Sequence, residues 1–307
     1  MKEIALVGSQ LIHEDPYLVY FNGTERALLE RYGKKWMAAF LLRRGDLAPR
    51  THEVRVTRVW SPQTEAAQRV ASAFQVKVCA SLQESLDGAD GAMVMDEDVV
   101  SRSHLVEQCL GRGLRVFADK MLSDDPSRTH ALVKRARASG GDVRAWSQAY
   151  FYVENEQVRA LGPCGSGWLS AHYDAQYALT YGPHAVSMLQ GAFRLRLVAY
   201  ETLRCTTDER MGLLTLEGDT RIVTQFATAL SSEVILAYRT CAKGAAGAVL
   251  LRDRACDHGA SFERSAQAML DFFMGRPCPV TIEDVLEHSR IMRHLFGGGD
   301  GEIPPRI

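Results

Sequence analysis

The chain is predicted to be α/β, with an N-terminal parallel-sheet domain followed by an α+β domain whose sheet is open and mainly antiparallel. Three observations predict this. The first 145 residues alternate short β-branched runs with helix-like stretches, the pattern of βαβ units. Past residue 150 the β-like runs lengthen and several follow one another directly, as antiparallel strands do. A length of 307 residues also suits two domains of about 150 residues each. The expected division is 1–145, then 146–296, then a flexible glycine-rich tail over 297–307.

In the first domain the candidate strands are 3–7, 54–60, 76–79, 92–95, 114–117 and 143–146. Ser61-Pro62 reads as an N-cap with proline at the first helical position, and Val70, Ala71 and Phe74 give a helix over 62–74 one apolar face. Ser81-Leu82-Gln83-Glu84 fits a capping box, and Leu105, Val106, Cys109 and Leu110 recur at helical spacing. Asp125-Pro126 opens another helix, which Gly140-Gly141 ends. About 45 residues separate the first two strands, where a crossover needs one helix of about 10–15. Residues 9–53 therefore contain an insertion, with an aromatic group (Tyr17, Tyr20, Phe21) and a second helix from Thr24.

The second domain carries candidate strands at 166–174, 197–206, 210–217, 220–229, 232–240 and 246–252. Glu217-Gly218-Asp219-Thr220 suits a two-residue hairpin with glycine in a type II′ turn. Phe262, Ala266, Met269, Leu270 and Phe273 share one helix face, and Thr281 with Asp284 caps a last helix.

Composition narrows the function. Thirty-six basic against 37 acidic residues leave a formal charge of −1, which gives no electrostatic reason to expect nucleic acid or an anionic membrane, so the expected partner is a small molecule. No segment reaches the roughly 20 apolar residues of a membrane helix, and the opening run Ile4-Ala5-Leu6-Val7 is too short for a signal sequence. Seven scattered cysteines without a CxxC pair predict reduced thiols in a cytoplasmic protein, and no spacing suits a metal site.

Three segments carry a resemblance. Cys109 to Leu122, CLGRGLRVFADKML, is similar to the strand and turn that end in Glu-Lys-Pro in the glucose-fructose oxidoreductase and inositol dehydrogenase superfamily (Gfo/Idh/MocA), with Asp119-Lys120-Met121 in that place. Tyr181-Gly182-Pro183-His184-Ala185-Val186-Ser187 resembles its Gly-x-His-x-x-Asp helix start. Gly275-Arg276-Pro277 with Val280 to Asp284, following Phe262, resembles its closing pattern.

The resemblance implies a Rossmann-like domain, an α+β domain whose open sheet mediates homodimers or homotetramers, and an NAD(P)-dependent oxidoreductase acting on a sugar, cyclitol or related hydroxylated metabolite. It implies that Lys120 and His184 lie beside nicotinamide and substrate hydroxyl. Oxidising a carbinol requires proton removal as hydride leaves, and a partly desolvated lysine or a histidine can be tuned for it. Thr180 corresponds to the family's third polar residue, commonly an aspartate four positions before the histidine; threonine is no general base near neutral pH, and His172, Asp174 or Tyr181 are the candidate substitutes, the first two also reading as a polar strand face.

The nucleotide half departs from the pattern. Against G-x-G-x-x-G the chain offers Gly8-Ser9-Gln10-Leu11-Ile12-His13, keeping one glycine, with His13 or the amides of Leu11 and Ile12 as candidate phosphate contacts. Ser61 stands where an NAD-selective enzyme has an acid, which removes one objection to NADP; Arg58 and Arg69 are candidate phosphate partners. Asp98 falls where the family lays Thr-Pro-Asn against the cofactor, and with Asp96 and Glu97 forms a run that would repel phosphates at short range. The cofactor is thus expected to be NADP or NAD. Two alternatives stay open: a family member without cofactor that catalyses elimination or isomerisation in specialised metabolism, and a non-catalytic binding subunit.

Overall fold

The computed structural model describes residues 1–9, 13–173, 178–194, 196–206, 209–228, 233–241 and 247–297, apart from the side chains of 173, 178–180, 228, 296 and 297. These form two compact units. Met1–Ser123, Ser127–Ala145 and Phe262–Ile282 make the first; Asp124–Pro126, Trp146–Ser261 and the chain from Glu283 make the second.

The first unit is built on a six-stranded sheet in the order β3-β2-β1-β4-β5-β6. Its strands are β1 (Lys2–Val7), β2 (Val54–Trp60), β3 (Lys77–Val78), β4 (Gly91–Val94), β5 (Arg115–Asp119) and β6 (Asp142–Trp146). The pairs β2–β3, β1–β2, β1–β4 and β4–β5 are parallel. The central strands read as continuous apolar runs because both faces are covered; all four residues of β4 are buried. The helices are α1 (Glu14–Asn22), α2 (Arg26–Tyr32), α3 (Lys35–Arg44), α4 (Thr64–Phe74), α5 (Leu82–Leu86), α6 (Val99–Leu110) and α7 (Pro126–Ala138).

The capping expectations divide. Ser81 accepts the Glu84 N–H at 3.1 Å while the Glu84 carboxylate takes the Ala80 N–H at 2.8 Å, one residue short of the ideal box. At Ser61 the helix begins two residues later than expected. Its hydroxyl takes the Gln63 N–H at 3.2 Å in the loop, and α4 starts at Thr64 with no side-chain cap.

The insertion contains three helices rather than two. Its aromatic group is core: Tyr17 and Phe21 are buried, and Tyr17 packs edge-on against Phe117 and Phe262 with its hydroxyl 2.9 Å from Ser265 Oγ. Asn22 stands in for a strand neighbour, giving its amide N–H to Val56 O and taking the Val56 N–H, at 2.7 and 3.0 Å. Phe262 and Ser265 belong to α10 (His258–Met274), most of which is built into this unit. Its apolar face meets the sheet there: Phe273 presses on Gly91, where a Cβ would lie 2.8 Å from the ring, and Arg115 donates to Phe272 O at 2.8 Å.

The second unit holds α8 (Asn155–Leu161), β7 (Gly165–Tyr173), α9 (Ala178–Phe193), β8 (Leu197–Cys205), β9 (Glu209–Leu216), β10 (Thr220–Thr228), β11 (Glu233–Thr240), β12 (Ala248–Arg252) and α11 (Ile282–Gly297). Its sheet runs β12-β11-β7-β10-β9-β8, antiparallel except where β7 lies parallel to β10. The β9–β10 turn differs from expectation. Gly218 and Asp219 both take positive φ, 74° and 57°, so the turn is type I′ rather than II′, which aspartate tolerates better than most residues.

One ion cluster ties the insertion to α4. Glu14 and Asp15, in the first turn of α1, are wholly buried; Arg69 of α4 pairs with both, Lys34 Nζ lies 3.5 Å from Glu14, and the Lys34 N–H reaches Asp15 at 3.0 Å. Burial drives the Glu14 carboxyl up to about 7 against the pull of Lys34 and Arg69. Arg69→Ala is expected to cost about 3–5 kcal/mol of unfolding free energy in urea titrations. The loss should be largest above pH 7, where Glu14 is ionised and left without its guanidinium.

Candidate functional site

The carboxyl edge of the parallel sheet gathers buried polar side chains from three consecutive strand ends. After β1, Gly8 turns with φ 72°, and a Cβ at that position would stand 2.9 Å from Asp96 Cβ. The close approach of the β1 and β4 ends therefore requires glycine there. After β4, the buried Asp96 accepts the Asp98 N–H at 2.9 Å and the Ser101 hydroxyl at 3.0 Å. Burial raises its carboxyl above the ordinary range. Asp98 caps α6, taking the Ser101 N–H at 2.6 Å.

At the end of β5, Asp119 is fully buried. Its Oδ2 lies 3.0 Å from His13 Nδ1, and its backbone oxygen accepts Arg102 Nη1 at 2.6 Å. Burial works against this carboxylate, but the His13 ring, with Lys120 and Arg102, outweighs it and holds the group below the ordinary range. Among the described residues, Asp119 Oδ1 and Arg102 Nε are buried without a hydrogen-bond partner. Two such atoms at the end of one strand suit a polar ligand or water there.

Lys120 is the next residue. It takes φ 70°, an uncommon conformation for a side chain with a Cβ, and is only 3% exposed. Among the described residues no hydrogen bond or ion pair holds its ammonium. Burial brings its pKa down to about 8, with Asp119 pulling the other way. A lysine in this state gives up and takes back a proton close to neutral pH.

In the second unit, His184 lies in the second turn of α9, with Tyr181 beside it at a ring separation of 5.9 Å. Its Nδ1 is 2.5 Å from the hydroxyl of Ser147, which is fully buried just past β6. Ser147 gives its proton to Gln148 Oε1 at 3.0 Å and accepts the Ala149 N–H at 3.2 Å. A hydroxyl has one proton and two lone pairs, so what remains for His184 is an acceptor. Nδ1 therefore carries the hydrogen, and the imidazole lone pair falls on Nε2, the tautomer a general base needs.

The other expected residues are placed as follows. Leu11 and Ile12 lie outside the described residues, as do Asp174 and the side chain of Thr180. Ser61 is buried in the loop after β2. Arg58 is engaged with Glu3 at 2.5 Å and Arg69 with Glu14 and Asp15, so both arginines serve the fold. His172 bonds Ser170 at 2.6 Å. Among the described residues no group of three or more His, Cys, Asp or Glu could hold a metal, and no helix is long and apolar enough to cross a membrane. Arg102 and Ser147 were not anticipated. Arg102 lies on the apolar stripe of α6 formed by Val99, Leu105, Val106 and Cys109, and an arginine on such a stripe is a legible signal. Ser147 has none, since only tertiary structure sets it against His184.

Residues 30–145 match the model of the GFO_IDH_MocA family, described as an oxidoreductase family with an NAD-binding Rossmann fold. This match spans most of the first domain. The chain as a whole has the fold of known dehydrogenases. GenD2 from gentamicin A biosynthesis, crystallised with NAD, is 13% identical at a TM-score of 0.70, over 99% of this chain and 97% of that one. Myo-inositol 2-dehydrogenase from Lactobacillus plantarum is 10% identical at 0.67, over 95% of each chain. A myo-inositol dehydrogenase from Corynebacterium glutamicum is 12% identical at 0.67, over 97% and 96%. No curated protein matches in sequence. The Gfo/Idh/MocA match begins past the turn after β1, the segment in which the sequence departs most from the dinucleotide fingerprint.

Two measurements test the site. A buried lysine whose pKa falls from 10.5 to about 8 binds its proton less well folded than unfolded, so stability should rise with pH between those values. The rise corresponds to about 3 kcal/mol, and chemical denaturation of Lys120→Met across that window should show it gone. For His184, nitrogen-15 spectra should show a protonated Nδ1 and an unprotonated Nε2 at alkaline pH. Ser147→Ala should mix the two tautomers; an unchanged spectrum would refute the assignment.

Proposed function

We propose that this protein is an NAD(P)-dependent oxidoreductase acting on a sugar, cyclitol or related hydroxylated metabolite, with Lys120 and His184 handling the proton. One observation carries the reading: a buried lysine that has no hydrogen bond or ion pair among the described residues, its pKa about 8, just past β5 in the Asp119-Lys120-Met121 segment. The family match supports the cofactor class, and the inositol dehydrogenases of the same fold support the substrate class. Gly8, with its positive φ, and the orphaned polar atoms around Asp119 suit a polar ligand at this edge. Ser61, at the end of β2, leaves room for either NAD or NADP.

When bound, the nicotinamide accepts the hydride lost by the substrate carbon. The chain supplies the rest. Neutral Lys120 takes the hydroxyl proton at Nζ, in surroundings dry enough to hold its pKa near neutrality. Asp119 opposes that fall, which limits how far the lysine is weakened. His184, kept by Ser147 in the tautomer with its lone pair on Nε2, is a second acceptor, and Thr180, one turn earlier on α9, offers only a hydroxyl.

A second reading has its own observation. The first turn of α1, where an open α/β fold receives phosphate, carries the buried carboxylates Glu14 and Asp15. That favours an elimination or isomerisation run by the same lysine and histidine without a nucleotide.

A homodimer or homotetramer is part of the proposal. Leu250, Ala237, Trp168, Val223 and Leu213 stand in one cross-strand row over five strands of the second sheet, with Leu250 64% and Trp168 40% exposed. Such a row suits a partner sheet. A cytoplasmic location is also proposed, which the seven unpaired cysteines support.

The test is a screen of sugars and cyclitols with NAD and NADP, following reduced nicotinamide. Lys120→Ala should lower kcat by about 10²–10⁴ while dinucleotide binding persists. Full activity in that variant would remove Lys120 from the chemistry. Absence of binding by either nucleotide would shift the assignment to the second reading.

A further inference from the structure

We propose that Cys164 and Cys241 form a redox-active dithiol, pre-set by the ends of β7 and β11 to close into a disulfide by exchange with a low-molecular-weight disulfide. The proposal is independent of the oxidoreductase reading. Both cysteines belong to the sheet of the second unit, and neither takes part in the chemistry assigned to Lys120 and His184.

β7 and β11 run antiparallel, with Thr240 opposite Gly165 at the end of the ladder. One step further along that register Cys241 stands opposite Cys164, and the Cys241 N–H donates to Cys164 O at 2.8 Å. Residues opposed in this way have Cα atoms about 4.5–5.5 Å apart, inside the range of about 4.4–6.8 Å that a disulfide spans. The Cys164 backbone is held at both ends: the Thr240 hydroxyl also donates to its oxygen at 3.4 Å, and its N–H reaches Thr220 Oγ1 at 3.1 Å. Its φ is 73°, a conformation that a residue with a Cβ keeps where its surroundings enforce it. What remains for closure is rotation of two side chains. Tyr238 is close to both thiols. Its hydroxyl donates to Gly162 O at 2.9 Å, and its pKa is raised chiefly by burial, with Cys164 and Cys241 adding to the rise.

The other five cysteines are placed differently. Burial pushes Cys109 and Cys256 up to about 12 and Cys278 up to about 11, and it raises Cys79 as well, which makes all four poor nucleophiles. Cys205 is exposed, but it ends β8, the opposite edge strand of the sheet from β12 and β11. Cys241 is exposed and Cys164 half-buried, so a small disulfide meets Cys241 first. The Cys241 thiolate attacks one sulfur of the reagent, the reagent's S–S bond breaks, and one small thiol leaves with a proton. The Cys164 thiolate then attacks the Cys241 sulfur of this mixed disulfide and expels the second small thiol. Two protein thiols are oxidised and one small disulfide is reduced.

The experiment treats the reduced full-length chain with oxidised glutathione, blocks the remaining thiols with iodoacetamide, and reads the products by peptide mass spectrometry and non-reducing gels. The expected product is a Cys164–Cys241 cross-link within one chain, with two free thiols lost. Its melting temperature should rise by about 5 °C or more and fall back with dithiothreitol. Cys164→Ser should stop at the mixed disulfide, with glutathione retained on Cys241, while Cys205→Ser should leave the cross-link unchanged. Glutathione retained on Cys241 of the wild type would overturn the proposal. So would a disulfide joining other cysteines or two chains, or a cross-link that leaves the melting temperature the same or lower, because the strand ends would then not be pre-set for closure.

Discussion

Burying charge at the carboxyl edge of a parallel sheet is the constraint from which most of this structure follows. Glu14, Asp15, Asp96, Asp119, Arg102 and Lys120 are all nearly or wholly removed from water. An ionised group in such surroundings persists only with partners, and a single missing partner costs more than a well-made pair returns. The partners come from different elements. Arg69 arrives from α4, Lys34 from the link between α2 and α3, His13 from the turn after β1, and Arg102 from α6. The insertion is therefore part of the sheet's own electrostatics: it brings His13 to Asp119, while Tyr17 and Asn22 hold its first helix to α10 and to the sheet.

The same constraint sets the chemistry of the site. Lys120 is in the network electrostatically and outside it in hydrogen bonding. Asp119 spends one carboxylate oxygen on His13 and offers no bond to the ammonium beside it. Burial then weakens the lysine's hold on its proton until it titrates near neutrality. Had Asp119 paired with Lys120 instead, the lysine would have stayed a fixed cation. His13 thus does two things at once: it partners a buried carboxylate and keeps that oxygen from the lysine.

In the second unit the analogous task falls to a hydroxyl. Ser147 sits against His184 because β6 ends one residue earlier and the following turn of helix presents Gln148 and Ala149 to the same oxygen. With its other positions filled, the hydroxyl can only accept from the imidazole. A neutral neighbour thereby fixes the tautomer.

Much of the fold was legible in the sequence. Strand positions in both domains follow from β-branched runs and their spacing, because burial on one or both faces demands that pattern locally. The capping residue Ser81, the start of α7 at Pro126 and the Asp119-Lys120-Met121 strand end are equally local. Turn type at Gly218-Asp219 and the start of α4 were misjudged, since backbone angles there answer to the flanking strands as much as to residue type. Composition and spacing by themselves determined an α/β chain of two domains, an anomalous turn after the first strand, and a lysine at the end of the fifth. Only tertiary structure decided that α10 completes the first unit, that His13 turns to Asp119, that Arg102 is wholly buried and that Ser147 meets His184. These pairings join residues far apart in the chain, and what selects them is the cost of leaving a buried polar group unpartnered, which no local pattern records.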